Sequence, residues 1–123
     1  MSRTRRTFIS VTAAVGLLVA SSLDPRWLGA AGAAATGGTA WLHLIGYAVL
    51  GAAVAAVVGP DRRGAAVAVG VATGYGAGVE LLQLGLATRT GSLADAAVNG
   101  VGACLGVGGW WLSRRHRASS PDE

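Results

Sequence analysis

The chain has 123 residues, 52% of them apolar and 13% charged, with a net charge of +4 and a mean hydropathy of +0.51. That length implies one domain, and charged residues are about half as frequent as in soluble domains, which argues against an ordinary soluble core. The glycines follow no collagen period, the chain is too apolar for disorder, and its ten Arg and no Lys fall in short clusters between apolar runs, a pattern of membrane topology rather than of nucleic-acid binding.

Residues 1–6 form a basic N-terminus with Arg3, Arg5 and Arg6. Thr7 to Leu23 then carry no charge and would reach about 25 Å as a helix, near the short limit for a membrane span. The TRRTFIS run also resembles a twin-arginine export signal, with Ser21 and Ser22 as small residues before a cleavage site. Export by that route suits the remaining apolar chain poorly, so a retained first span is the preferred reading. Asp24-Pro25-Arg26 breaks the helix, because proline lacks an N–H and restricts its predecessor. The Gly- and Ala-rich run after it reads as an external loop, anchored at an interface by Trp27.

A second span is expected from Thr39 or Ala40 to Gly59-Pro60, with His43, Gly46, Tyr47 and Gly51 on one face. Asp61-Arg62-Arg63 makes a charged turn. A third span is expected from about Gly64 to Leu84. Its Gly70, Gly74 and Gly78 are two overlapping small-xxx-small repeats, a pattern that lets helices approach closely. Glu80 and Gln83 lie on a different side, with Thr73 and Gly76. Residues 85–92 read as a loop containing Arg89. Ser92-Leu93-Ala94-Asp95 is a capping-box pattern that opens a fourth helix to about Leu112, with Gly102 and Gly106 spaced for packing and Trp110-Trp111 at an interface. Residues 113–123 are a polar tail, expected to be disordered beyond Arg117. Cys104, alone in the chain, is expected to be a small buried residue.

The expected fold is therefore all-α: an integral membrane bundle of four transmembrane helices over residues 7–112. With the N-terminus inside, eight arginines lie on the inner side and only Arg26 and Arg89 outside, so both termini are expected in the cytoplasm. That orientation sends His43, Glu80, Asp95 and Asn99 to one depth, near the outer leaflet. Charged and strongly polar residues in a span usually face the protein interior and mark a site. The candidate polar site is thus His43, Glu80, Gln83, Arg89, Asp95 and Asn99. A Glu80–Arg89 pair requires the third helix to break early, at Gly85, since a continuous helix puts the two on opposite faces. Each residue also has a structural reading: Gln83 and Asn99 as interhelical hydrogen bonders, Asp95 as a capping acid.

E-L-L-Q at 80–83, Arg89, G-S-L-A-D at 91–95 and N-G-x-G-A-x-L-G from Asn99 to Gly106 together resemble the signature of the VanZ-like family of small membrane proteins. His43 in its H-x-x-x-Y setting is similar to that family's histidine after the first external loop. Where the family often has Asp-Lys shortly before this histidine, Thr39-Ala40 stand here. The resemblance implies a cell-envelope membrane protein, and the family's namesake is associated with low-level resistance to the glycopeptide teicoplanin.

From these residues we expect a non-catalytic protein with the lipid bilayer as its setting. Its ligand would be a lipid headgroup, an envelope precursor or an amphiphilic drug. No nucleic acid, metal or cofactor is expected, and oligomerisation is left open. Two other readings stand beside this one. Two carboxylates and a histidine near the surface can support acid–base hydrolysis or transfer on a lipid-linked substrate. An intramembrane Glu can serve a proton-coupled transporter, against which four spans without an inverted repeat count.

Overall fold

The structure, a computed structural model, describes residues 1–22, 40–85 and 93–119. The expected external loop with Trp27, Arg89, and Ser92 of the capping box lie outside the described residues. The described chain is all-α: α1 (Arg3–Ser22), α2 (Ala40–Val58), α3 (Arg62–Leu84) and α4 (Leu93–Ser119). By length and composition two of these, α2 and α3, are apolar enough to cross a membrane. In α1 the arginines of the first turns, and in α4 Asp95, Asn99 and the basic last turns, dilute the apolar character.

The helix ends follow local chemistry. Ser2 Oγ accepts from the Arg5 N–H (3.3 Å), so α1 starts within the basic segment rather than after it. Asp61 caps α3, its Oδ1 accepting from the Gly64 N–H at 2.8 Å. The turn before it needs Gly59, whose φ of 120° lies in a region side-chain-bearing residues avoid. Replacing Asp61 by Ala is expected to cost about 0.5–2 kcal/mol, measurable as a lower unfolding midpoint in detergent. α3 ends at Leu84, and the Gly85 N–H donates to Leu82 O at 3.1 Å. This is the early break that the sequence suggests.

The tail departs from expectation, since α4 continues unbroken to Ser119. Nothing before Pro121 breaks a helix. The Arg114 guanidinium approaches the Trp110 ring (5.8 Å to centroid) and Arg115 lies over Trp111 (3.5 Å), one turn apart in each case, which supports the added turns.

α2 is the central helix and touches the other three; its most extensive contact is with α4. Residue pairing fixes the directions. Gly51 meets Ala103, Gly102 meets Leu44 and Gly106 meets Ala48, so α2 and α4 run parallel. Ala55 packs with Ala68 and Val107, while Tyr47 meets Gly76, so α3 runs antiparallel to both. α1 lies on α2 and the edge of α3, held by Arg6 Nη1 donating to Ala56 O (3.1 Å) and by the Tyr75 hydroxyl donating to Ala14 O. The result is an up-down-up-down arrangement. One end carries residues 1–6, the α2–α3 turn and the end of α4, and so holds all eight described arginines. The other end carries the starts of α2 and α4 and the end of α3.

Inside and outside are unlike those of a soluble bundle. The buried residues are mostly small, Ala55, Ala68, Ala72 and Ala103, with Tyr47, Leu50, Val79 and Val107. Large apolar side chains cover the surface on every helix: Phe8 and Val15, Ile45 and Val49, Val67, Val71 and Leu81, Val101 and Leu105. An apolar exterior this extensive is uncommon on a soluble monomer.

Two expectations about small residues change. Gly70, Gly74 and Gly78 meet nothing within 4 Å, so among the described residues they are not the packing face of α3. The packed face is instead Gly64, Ala68, Ala72 and Gly76, an i, i+4 ladder that continues to Glu80. Polar side chains turn toward the protein, and the small residues in line with them are the ones that meet a neighbour. Cys104 is exposed rather than buried. Ala103 and Val107 occupy the inward face of α4, which leaves Cys104 beside Leu105 on the outer one.

Candidate functional site

The polar residues gather at the end opposite the arginines. His43 lies in the first turn of α2, half-buried, and its Nδ1 is 3.1 Å from Asn99 Oδ1 on α4. A carbonyl oxygen only accepts, so in this hydrogen bond His43 Nδ1–H is the donor. One turn along α2, the Tyr47 ring stacks beside His43 (centroids 6.4 Å apart, planes 13° apart). On its other side Tyr47 approaches Tyr75 of α3, at 6.4 Å and 50°.

Tyr47 and Asn99 are both 0% exposed, the largest fully buried side chains among the described residues. They come together because α3 carries no side chain where they meet it. A Cβ on Gly76 would stand 3.0 Å from Tyr47 Cε1 and 3.1 Å from Asn99 Cβ and Nδ2. Gly76 therefore admits a ring from α2 and an amide from α4 against the α3 backbone.

Glu80 and Gln83 follow on the same face of α3, 8% and 4% exposed. Glu80 lies within electrostatic reach of the Tyr47 phenol. Asp95 is half-buried in the first turn of α4, one turn before Asn99, a position at which a carboxylate also favours the positive end of the helix dipole. Glu80, Gln83 and Asp95 each take part in polar or electrostatic contacts. Of the expected site, then, His43 and Asn99 touch directly, Glu80 and Gln83 lie buried at the same end, and Asp95 sits at its rim.

Neither Tyr47 nor Tyr75 is among the candidate site residues read from the sequence, yet both stand here. Tyr47 is one turn from His43, and the ladder of small residues on α3 points at Gly76. Those two signals together locate the centre of the cluster. Not all of its hydrogen-bonding capacity is used. The Tyr47 hydroxyl, Asn99 Nδ2 and Thr73 Oγ1 are buried without a hydrogen-bond partner among the described residues. Such groups each cost about 1–3 kcal/mol when left unsatisfied. Two of them are hydroxyls and one an amide N–H donor, so the cluster suits oxygen acceptors. Among the described residues no three His, Cys, Asp or Glu side chains are grouped to hold a metal ion.

The fold and cluster define an all-α bundle with an apolar exterior and a buried polar end. Comparison with known proteins finds no matching family model, no matching curated protein and no matching solved structure.

Proposed function

We propose that the chain is a VanZ-like integral membrane protein of the cell envelope. It has four spans, both termini in the cytoplasm, and a polar cluster near the outer leaflet that binds the oxygen-rich head of an amphiphile. Lipid headgroups, envelope precursors and amphiphilic drugs share that chemistry. The observation that carries the binding reading is the pair of fully buried groups without a hydrogen-bond partner among the described residues, Asn99 Nδ2 and the Tyr47 hydroxyl, beside the His43–Asn99 hydrogen bond. The membrane setting is supported by the apolar exterior and by the gathering of arginines at one end. The residues that carry the family resemblance, Glu80, Gln83, Asp95 and Asn99, lie at the opposite end. Arg89, which carries the same resemblance, would meet an anionic headgroup, and His43 with Gln83 would complete the hydrogen bonding.

Two measurements test this. With Cys104→Ala as background, a cysteine placed at Ser2 is expected to react with a membrane-impermeant maleimide only after the cells are opened. Labelling of intact cells would reverse the topology. For the site, teicoplanin and a lipid-linked cell-wall precursor are added separately to purified protein in detergent. At least one is expected to raise the unfolding midpoint, as any ligand of the folded state does, and Asn99→Ala is expected to remove that rise. No rise with either ligand, or a rise that survives the substitution, sinks the binding site.

A further inference from the structure

At the arginine end a second feature has no part in the polar cluster. The α2–α3 turn and the last turns of α4 flank an open surface groove of about 530 Å³, lined by Pro60, Asp61, Arg62, Trp111, Arg114, Arg115 and Ala118. Its walls are fixed to one another: Trp111 Nε1 donates to Pro60 O at 3.0 Å, from one element to the other. The Arg115 guanidinium is stacked on the Trp111 ring, 3.5 Å from its centroid. Asp61 is engaged as the α3 cap, its Oδ1 on the Gly64 N–H. The lining thus includes three arginines and one aspartate, one of whose oxygens already accepts from the backbone. A single phosphodiester fits such a lining, because guanidiniums bind phosphate oxygens in a planar, two-pronged geometry. Pro60, Trp111 and Ala118 offer an apolar side to a glycerol backbone, and a groove of this size is in the range that holds small ligands.

We propose that this groove is a binding site for the headgroup of an anionic phospholipid of the inner leaflet. Arg62 and Arg114 take the phosphate, and Trp111 fixes the depth at which the headgroup sits. The excess of positive charge selects an anionic headgroup over a zwitterionic one, whose ammonium would face the same arginines. The site differs from the polar cluster in place and in charge, and rests only on the four-span reading. The end of α4 stays helical through a strongly basic run, which keeps Arg114 and Arg115 against the turn instead of releasing them as a tail.

The test uses the full chain, purified in detergent and titrated with phosphatidylglycerol or phosphatidylcholine, with retained lipid read by native mass spectrometry. The Arg62→Gln/Arg114→Gln pair is expected to weaken phosphatidylglycerol retention roughly thirtyfold, from a contribution of about a factor of five per arginine at a membrane surface. The Arg3→Gln/Arg5→Gln pair removes equal charge from the same end but is not among the groove's lining residues, and it is expected to change retention by less than about twofold, because it makes no charge-assisted hydrogen bond to the headgroup. Inorganic phosphate is expected not to displace the lipid. Equal losses in the two pairs, equal retention of phosphatidylcholine, or displacement by inorganic phosphate would each overturn the lipid site. Recovery of the unaltered chain from cells in a soluble fraction would overturn the four-span reading along with it. Loss of selectivity in a chain that still resists carbonate extraction from membranes overturns the lipid site alone.

Discussion

Gly106→Ala is expected to destabilise the bundle by about 3 kcal/mol, at the upper end of what overpacking costs, whereas Gly70→Ala and Gly74→Ala leave it unchanged or slightly more stable. The difference lies in what a new methyl group meets. At Gly106 it would overlap the Ala48 carbonyl of α2, and at Gly102 the Leu44 carbonyl one turn earlier. Both neighbours are backbone and cannot rotate aside, so the two central helices must part along their closest contact. Gly51 repeats the arrangement from the other side, a Cβ there standing 2.7 Å from Ala103 O. In a bilayer no hydrophobic term draws helices together, and close backbone packing supplies much of the association energy. At Gly70 and Gly74 a methyl meets open space, and alanine improves helix propensity by up to about 1 kcal/mol. Unfolding by mixed-detergent titration, with helicity as the readout, separates the two groups. Equal stability of Gly106→Ala and Gly70→Ala would remove the α2–α4 seam from the account.

Tyr47 should separate stability from binding. Tyr47→Ala deletes the largest fully buried ring and leaves a void between His43, Tyr75 and Gly76, a change that costs about 3–5 kcal/mol for large aromatic side chains. Tyr47→Phe keeps the ring and removes a hydroxyl that has no hydrogen-bond partner among the described residues. The unliganded protein is then expected to be as stable as before or up to about 2 kcal/mol more stable, because an unsatisfied buried group is lost. The stabilisation that a ligand confers should fall in the same variant. A clear loss of stability in Tyr47→Phe without ligand would mean that the hydroxyl is already satisfied within the protein, and the case for an incoming acceptor would lose its main support.

Much of the fold was readable from the chain. The ends of α2 lie within a residue of expectation because Gly59-Pro60 and the charged turn stop it unambiguously. The limits of α3 follow from Asp61 and Gly85. The inward face of α2 was readable too, since Tyr47 and Gly51 share it and both the polar and the small residue pointed the same way. α3 was ambiguous. It carries two rows of small residues, one through Gly70, Gly74 and Gly78 and one through Ala68, Ala72 and Gly76, and the glycine row draws the eye. Only the second runs into Glu80.

The site was legible in the same partial way. That His43, Glu80, Gln83, Asp95 and Asn99 fall toward the same end of the bundle follows from their positions within the helices, as a helix advances about 1.5 Å per residue whatever surrounds it. That His43 bonds Asn99, and that Tyr47 rather than an ion pair lies at the centre, depends on lateral packing.

The amino-acid sequence by itself determined where most of the helices begin and end, and that the described arginines collect at one end and the polar groups at the other. These are consequences of caps, breakers, rise per residue and charge placement, all of them local. The tertiary structure decided which face of each helix turns inward. In a chain of Ala, Gly and Val nearly every face is apolar, so burial provides little contrast between them. The choice falls instead to how closely two backbones approach, as at Gly102 and Gly106, and to where a buried amide or phenol finds room, as at Gly76. Both are properties of pairs of helices, and neither exists in one helix alone.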